Sequence, residues 1–184
     1  MERMEVSGFM NNAKKSFVVV DLINDFVEGK FGSRRALEVT KKTSGFLSER
    51  KNDLIIFTMD SHIPNDPEFR VWGEHCIMGQ WGSELHESLK GIPGYHIKKR
   101  HFDAFFDSDL DGYLRANGVS QIYLLGISTD ICVLHTAAGA FFRGYSTTVV
   151  GDLCASISEE NHMKALEDMK RNYGVTIINS EEVD

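Results

Sequence analysis

Cysteine is scarce in this chain, basic charge is in deficit, and no apolar run is long. Three cysteines, Cys76, Cys132 and Cys154, stand among 184 residues. So small and odd a number cannot build a disulfide framework. A reducing, cytoplasmic setting is expected, in which each thiol either packs or reacts. Lysine and arginine number 20 against 27 acidic residues, for a formal net charge of −7. That balance argues against sequence-independent binding of nucleic acid and against docking on anionic membranes. The longest apolar runs, Phe17-Val18-Val19-Val20, Leu54-Ile55-Ile56-Phe57 and Ile122-Tyr123-Leu124-Leu125, fall far short of the roughly 18 residues of a membrane span. Residues 1–16 have no apolar centre, so no secretory signal is expected. Residues 1–15 read as a loose leader and 16–184 as a single domain.

What is present is an alternation of short β-branched runs with amphipathic stretches. Ser16–Asp21 is too short for a helix and apolar on both faces, which suits a central parallel strand. Arg34–Arg50 reads as a helix with Ala36, Leu37, Thr40, Phe46 and Leu47 as its apolar stripe. Strands are expected at 54–59, 94–98, 121–127, 146–150 and 175–178. Helices are expected at 109–117, ended by Gly118, at 130–143, ended by Gly144, and from Ser158 to about Tyr173. Such alternation implies a three-layer α/β/α domain on a six-stranded, mostly parallel sheet. Sheets of this kind bind ligands beyond the carboxyl ends of their strands. The first strand is followed by neither G-x-G-x-x-G nor G-x-x-x-x-G-K-S/T, so nucleotide binding is not expected.

The strand ends carry chemistry. Asp21 follows strand one and, read alone, is a turn aspartate. Asp60 and His62 follow strand two on one face of extended chain. With His75 they offer one carboxylate and two imidazoles, a donor set for Zn²⁺, Fe²⁺ or Mn²⁺. Glu68 is a fourth oxygen, as a ligand or as a group orienting a histidine. Lys98-Lys99-Arg100 after strand three reads by default as a solvated basic patch. After strand four, Ser128, Thr129 or Asp130 can cap a helix that places Cys132 in its first turn. There the helix dipole would lower the thiol pKa, and free N–H groups could receive an oxyanion. His135 lies on the same helix face, but as a partner for Cys132 it ranks below an aspartate base. Cys76 and Cys154 lack such a setting and read as packing.

In this order the fragments Val18-Val19-Val20-Asp21-Leu22-Ile23-Asn24-Asp25-Phe26, Phe57-Thr58-Met59-Asp60-Ser61-His62, Trp72-Gly73-Glu74-His75-Cys76, Lys99-Arg100-His101-Phe102-Asp103-Ala104-Phe105 and Gly126-Ile127-Ser128-Thr129-Asp130-Ile131-Cys132-Val133 resemble the isochorismatase-like cysteine hydrolase superfamily, nicotinamidase (pyrazinamidase) branch. The likeness runs from about Phe17 to Asn179. It implies strand order 3-2-1-4-5-6 and a catalytic triad of Asp21, Lys99 and Cys132. Lys99 is preferred to Lys98 because it stands six positions before Phe105, as the family motif requires. The resemblance also implies a cis peptide before Ser128, with the Ser128 and Cys132 N–H groups as an oxyanion hole. It further implies a metal on Asp60, His62 and His75, with Glu68 added in some members, and Phe26 and Trp72 flanking a pyridine ring. Zn²⁺ is the first choice of metal, with Fe²⁺ or Mn²⁺ as alternatives. The activity implied is hydrolysis of nicotinamide, a small-molecule amide, by a cytoplasmic homo-oligomer with no nucleic-acid or membrane partner. Gly79-Gln80-Trp81-Gly82 departs from the family's Gly-Thr-x-Gly, and the His62–His75 loop is short, so both bear on pocket shape. An amidase for N-carbamoyl or ureido compounds is the nearest alternative. A vinyl-ether hydrolase, which has no need of the cysteine, and a non-catalytic metal or ligand binder are further ones.

Overall fold

A computed structural model describes residues 14–184. The expected leader at 1–15 therefore falls almost wholly outside the described residues, and its last two, Lys14 and Lys15, are the first of strand β1. Six strands form one sheet: β1 (Lys14–Val20), β2 (Leu54–Asp60), β3 (Tyr95–Lys99), β4 (Val119–Ile127), β5 (Ser146–Ala155) and β6 (Thr176–Ile178), in the order β3-β2-β1-β4-β5-β6. All five pairings are parallel. The central β1 is fully buried from Phe17 to Val20, as a strand covered on both faces must be.

The helices are α1 (Asn24–Val27), α2 (Arg34–Ser48), α3 (Phe69–Trp72), α4 (Leu110–Ala116), α5 (Leu134–Phe142) and α6 (Glu159–Tyr173). Ser33 caps α2 by accepting from the Ala36 N–H, and Ser158 caps α6 by accepting from the Asn161 N–H. Gly174 closes α6 in the left-handed conformation, where glycine carries no steric cost. None of the helices among the described residues is long and apolar enough to cross a membrane.

Three departures from the sequence reading bear on the site. Helices α1 and α3, four residues each, lie within stretches too short to show a period. The helix expected over 130–143 begins instead as a wide i→i+5 turn, Thr129–Val133, and becomes regular only at Leu134. Strand β5 continues five residues beyond Val150 to Ala155, its register with β4 shifting between Leu124 and Gly126. Gly126 has φ +127, and a side chain there would run into the Val20 carbonyl, so the shift requires glycine.

Candidate active site

The carboxyl ends of β3, β2, β1 and β4 bring the separate fragments together. Strand alternation sorts the three basic residues. Lys98 faces solvent, Lys99 is buried, and Arg100 lies half-buried beyond the strand end. Lys99 pairs in register with Asp60 on β2, one strand short of Asp21. Two strand spacings of about 4.8 Å separate β3 from β1, a gap that the long lysine side chain bridges. Its Nζ lies 2.7 Å from Asp21 Oδ2 and 3.0 Å from Asp60 Oδ1. It also donates to the His101 carbonyl at 3.0 Å and lies 3.8 Å from Cys132 Sγ. Asp21, at φ +52 just past β1, accepts from the Asp60 N–H at 3.1 Å through its other oxygen. The three residues of the expected triad therefore meet in one buried cluster.

Burial pushes Asp21 up to about 6, against the lowering pull of Lys99, while the charge of Asp60 adds to the rise. Burial opposes the Lys99 ammonium too, but Asp21 and Asp60 overcome it and hold Lys99 charged, well above an ordinary lysine. The expectation of an acidified Cys132 thiol is corrected. Burial raises Cys132 well above an ordinary cysteine; Lys99 lowers it only in part, and Asp21 and Asp60 raise it further. The turn that was to supply a dipole is irregular, and desolvation outweighs it. Cys132 rests as a neutral thiol against Asp21, with which it interacts.

Ser128 makes no side-chain cap, and the Ile127–Ser128 peptide is cis. Among the described residues no acceptor takes the Ser128 N–H. Asp130 does not cap the turn either; its carboxylate accepts from Ser156 Oγ at 2.5 Å and Asn161 Nδ2 at 3.2 Å. The ring Nδ1 of His135 lies 2.7 Å from the Ile131 carbonyl, which ties it to its own helix.

Beside the triad, Asp60, His62, Glu68 and His75 offer four ligand atoms, all within 4.8 Å of one another. His62 Nε2 lies 3.0 Å from Asp60 Oδ2 and 3.6 Å from Glu68 Oε2, and His75 Nε2 lies 3.8 Å from Asp60 Oδ2. His75 Nδ1 faces the Gly73 carbonyl at 2.7 Å. A carbonyl can only accept, so the ring proton sits on Nδ1 and Nε2 presents its lone pair to the cluster. Glu68 Oε2 is buried without a hydrogen-bond partner. Burial and the charge of Asp60 push Glu68 up to about 7. A buried carboxylate oxygen left orphaned among imidazole nitrogens and a second carboxylate fits a divalent cation of the Zn²⁺, Mn²⁺ or Fe²⁺ kind.

Both groups open on a cavity of about 400 Å³ whose walls include Asp60, Glu68, His75, Ser128 and Cys132. Phe26, Phe31 and Trp72 also line it. Phe31 meets His75 edge-on at 5.2 Å and Trp72 edge-on at 6.1 Å, and Phe26 lies 6.0 Å from His75. Phe26 and Trp72, the two aromatic residues named from the sequence, are thus part of the cavity wall, with Phe31 beside them.

Several supporting residues escaped that reading. Asp66 accepts from His62 Nδ1 at 3.0 Å and is ion-paired to Arg100; hydrogen bonding from Arg100 holds its carboxyl down at about 2. Asp25 accepts from the Cys76 N–H at 2.7 Å, steadying a residue at φ +46 next to His75. Lys30 donates to the Trp72 and Glu74 carbonyls at 2.7 and 2.8 Å. Only the position of Asp66, four residues after His62, was visible as a signal. The other partners are remote in the chain.

A family model described as the Isochorismatase domain matches residues 15–182. Among curated proteins the chain is 31% identical to the nicotinamidase/pyrazinamidase of Mycobacterium tuberculosis, over 85% of this chain and 94% of that protein. Among solved structures, the N-carbamoylsarcosine amidase of Thermoplasma acidophilum superposes with a TM-score of 0.85 at 34% identity, covering 93% of this chain and 99% of that one. The pyrazinamidase of Pyrococcus horikoshii in complex with zinc superposes with a TM-score of 0.80 at 28% identity, covering 90% and 99%.

Proposed function

The chain belongs to the isochorismatase family, and from that premise we propose that it is a metal-containing cysteine amidohydrolase converting nicotinamide, and also pyrazinamide, to the acid and ammonia. One observation carries the choice of substrate. Asp60, Glu68 and His75 of the four-residue cation site and Cys132 of the Cys–Asp–Lys cluster line a single cavity walled by aromatic rings. The nucleophile alone would serve many amides; the cation site and the ring-shaped walls suit a flat heteroaromatic one.

Asp21 takes the Cys132 proton as sulfur attacks the carboxamide carbon. Burial raises Asp21 to about 6, which makes it a stronger base for that proton than an ordinary carboxylate. A C–S bond forms, the carbonyl π electrons move to oxygen, and the Ser128 and Cys132 N–H groups receive that charge. Collapse breaks the C–N bond, and Asp21 returns its proton to the departing nitrogen, releasing ammonia and leaving a thioester on Cys132. Asp21 then deprotonates water, whose oxygen attacks the thioester. The C–S bond breaks, the acid is released, and Asp21 passes the proton taken from water to sulfur, restoring the thiol. Lys99 stays charged throughout and keeps Asp21 ionised between turnovers. Asp60, His62, Glu68 and His75 would hold the cation, with Zn²⁺ first and Fe²⁺ or Mn²⁺ as alternatives. A bound divalent cation supplies a Lewis-acidic anchor for a ring nitrogen, a means of orienting the substrate.

The likeness to N-carbamoylsarcosine amidase favours a second reading, hydrolysis of N-carbamoyl or ureido compounds by the same triad. Ammonia release from nicotinamide, pyrazinamide and a set of N-carbamoyl amino acids, with and without added Zn²⁺, Mn²⁺ and Fe²⁺, separates the two. Turnover of the pyridine and pyrazine amides, stimulated by metal, is expected. Turnover of the carbamoyl compounds alone, indifferent to chelators, would overturn the nicotinamide reading.

A further inference from the structure

We infer that Asp66 and Arg100 form the positioning pair of the cation site, Asp66 setting the tautomer and orientation of His62 and Arg100 immobilising Asp66. The inference rests on the cation-site reading above. His62 has no exposed surface, and its two ring nitrogens face carboxylates on opposite sides. Asp60 and Glu68 lie on the Nε2 side, where a cation would bind. On the other side Asp66 Oδ2 sits 3.0 Å from Nδ1. With Nε2 turned to the ligand cluster, a ring that is to offer its lone pair there must carry its proton on Nδ1, and Asp66 is the acceptor that holds it there.

Asp66 can hold that ring only if it cannot itself turn away. Its Oδ2 also accepts from the Ile63 N–H at 3.0 Å and from Arg100 Nε at 3.1 Å, and Arg100 Nη2 binds Oδ1. The fork of the guanidinium engages both oxygens, which fixes the carboxylate plane. The bond to Ile63 also closes the turn that carries the chain on to Glu68, so one carboxylate places two of the four ligands. Arg100 follows Lys99 directly. Successive residues at the end of β3 therefore reach two different acids, Lys99 to the reacting cluster and Arg100 to the support of the cation site. Neither Asp66 nor Arg100 is among the residues lining the cavity; they act through His62.

The test is Zn²⁺ affinity of metal-stripped protein, measured by competition with a chromophoric chelator, for the parent chain, Asp66→Ala, Arg100→Met and Arg100→Lys. Loss of such a partner typically weakens metal binding about 10–100-fold. Asp66→Ala is expected within that range, Arg100→Met about tenfold weaker, and Arg100→Lys between Arg100→Met and the parent. Thermal unfolding with and without Zn²⁺ supplies the readout that a merely structural role would not move. The rise in melting temperature on adding Zn²⁺ is expected to shrink in the variants. Parent-like affinity in Asp66→Ala and Arg100→Met overturns the inference. So does a lower melting temperature of the metal-free variants with an undiminished Zn²⁺-dependent rise. Should Asp66→Ala fail to fold, Arg100→Met decides by the same criterion. A parent protein that takes up no Zn²⁺ sinks the cation-site reading and this inference with it, whereas a binding parent with unaffected variants sinks this inference alone.

Discussion

Replacing Lys99 by methionine removes the cation that contacts Asp21 while keeping much of the side-chain volume. The ammonium lies 2.7 Å from Asp21 and 3.0 Å from Asp60. At an effective dielectric of about 20, each contact is worth roughly 5–6 kcal/mol of Coulomb attraction before desolvation. Stripping one partner from a buried pair has a net cost of about 3–5 kcal/mol. Part of this cost is relieved when a carboxylate takes up a proton. Asp21 already stands at about 6 through burial; losing 3–5 kcal/mol of support lifts it by about 2–4 further pH units. At pH 7 the ionised fraction then falls to roughly 10⁻¹–10⁻³, and kcat/KM for ammonia release is expected to drop by at least that factor. The sign follows from the proton balance. Raising the pH re-ionises Asp21, so the acid limb of kcat/KM, near pH 6 in the parent, moves alkaline and part of the lost activity returns toward pH 9. Stability runs the other way. Carboxylates whose folded-state pKa is raised contribute stability below their unfolded values and lose it as pH rises through the raised ones. Lys99→Met is therefore expected to melt lower at pH 8 than at pH 5, relative to the parent. An unshifted acid limb, with kcat/KM within twofold of the parent at pH 7, would refute this account of Lys99.

Three further substitutions probe separate parts of the site. Cys132→Ala should abolish ammonia release while leaving metal content and melting temperature near those of the parent; substantial residual turnover would remove Cys132 as nucleophile. His62→Ala should cut bound Zn²⁺, measured by elemental analysis, and raise KM for nicotinamide more than it lowers kcat, and normal metal content would contradict the ligand assignment. Gly126→Ala places a methyl against the Val20 carbonyl at φ +127. It should cost at least about 2–3 kcal/mol, or roughly 5–10 °C in melting temperature; an unchanged melting curve would show that the strand shift tolerates a side chain.

The elements were legible where burial and periodicity coincide. Phe17–Val20 and Leu54–Phe57 are strands because a β-branched run of that length can be buried only within a sheet. The end of β5 was not legible, because Gly151 and Asp152 interrupt the apolar run and continuation to Ala155 depends on pairing with β4. The residues carrying chemistry were legible as types at strand ends. Their states were not. The expected acidification of Cys132 followed from a local dipole, whereas its rise comes from burial, with the charges of Asp21 and Asp60 adding to it. Asp130 looked like a cap and instead ties the turn to Ser156 and Asn161.

Order along the chain was enough for the alternating α/β plan, the positions of the strand ends, and the presence there of a thiol, an ammonium, carboxylates and imidazoles, because those properties follow from local periodicity and residue type. Placing Asp21, Lys99 and Cys132 in mutual contact depended on the order of the strands. That order brings β3, β2, β1 and β4 side by side, so that a single lysine side chain spans β2 to reach the thiol and two acids. The protonation of each group was likewise a tertiary matter. The free energy of an ion is set by the water removed from it and the charges set beside it, and both are supplied by segments far away in the chain.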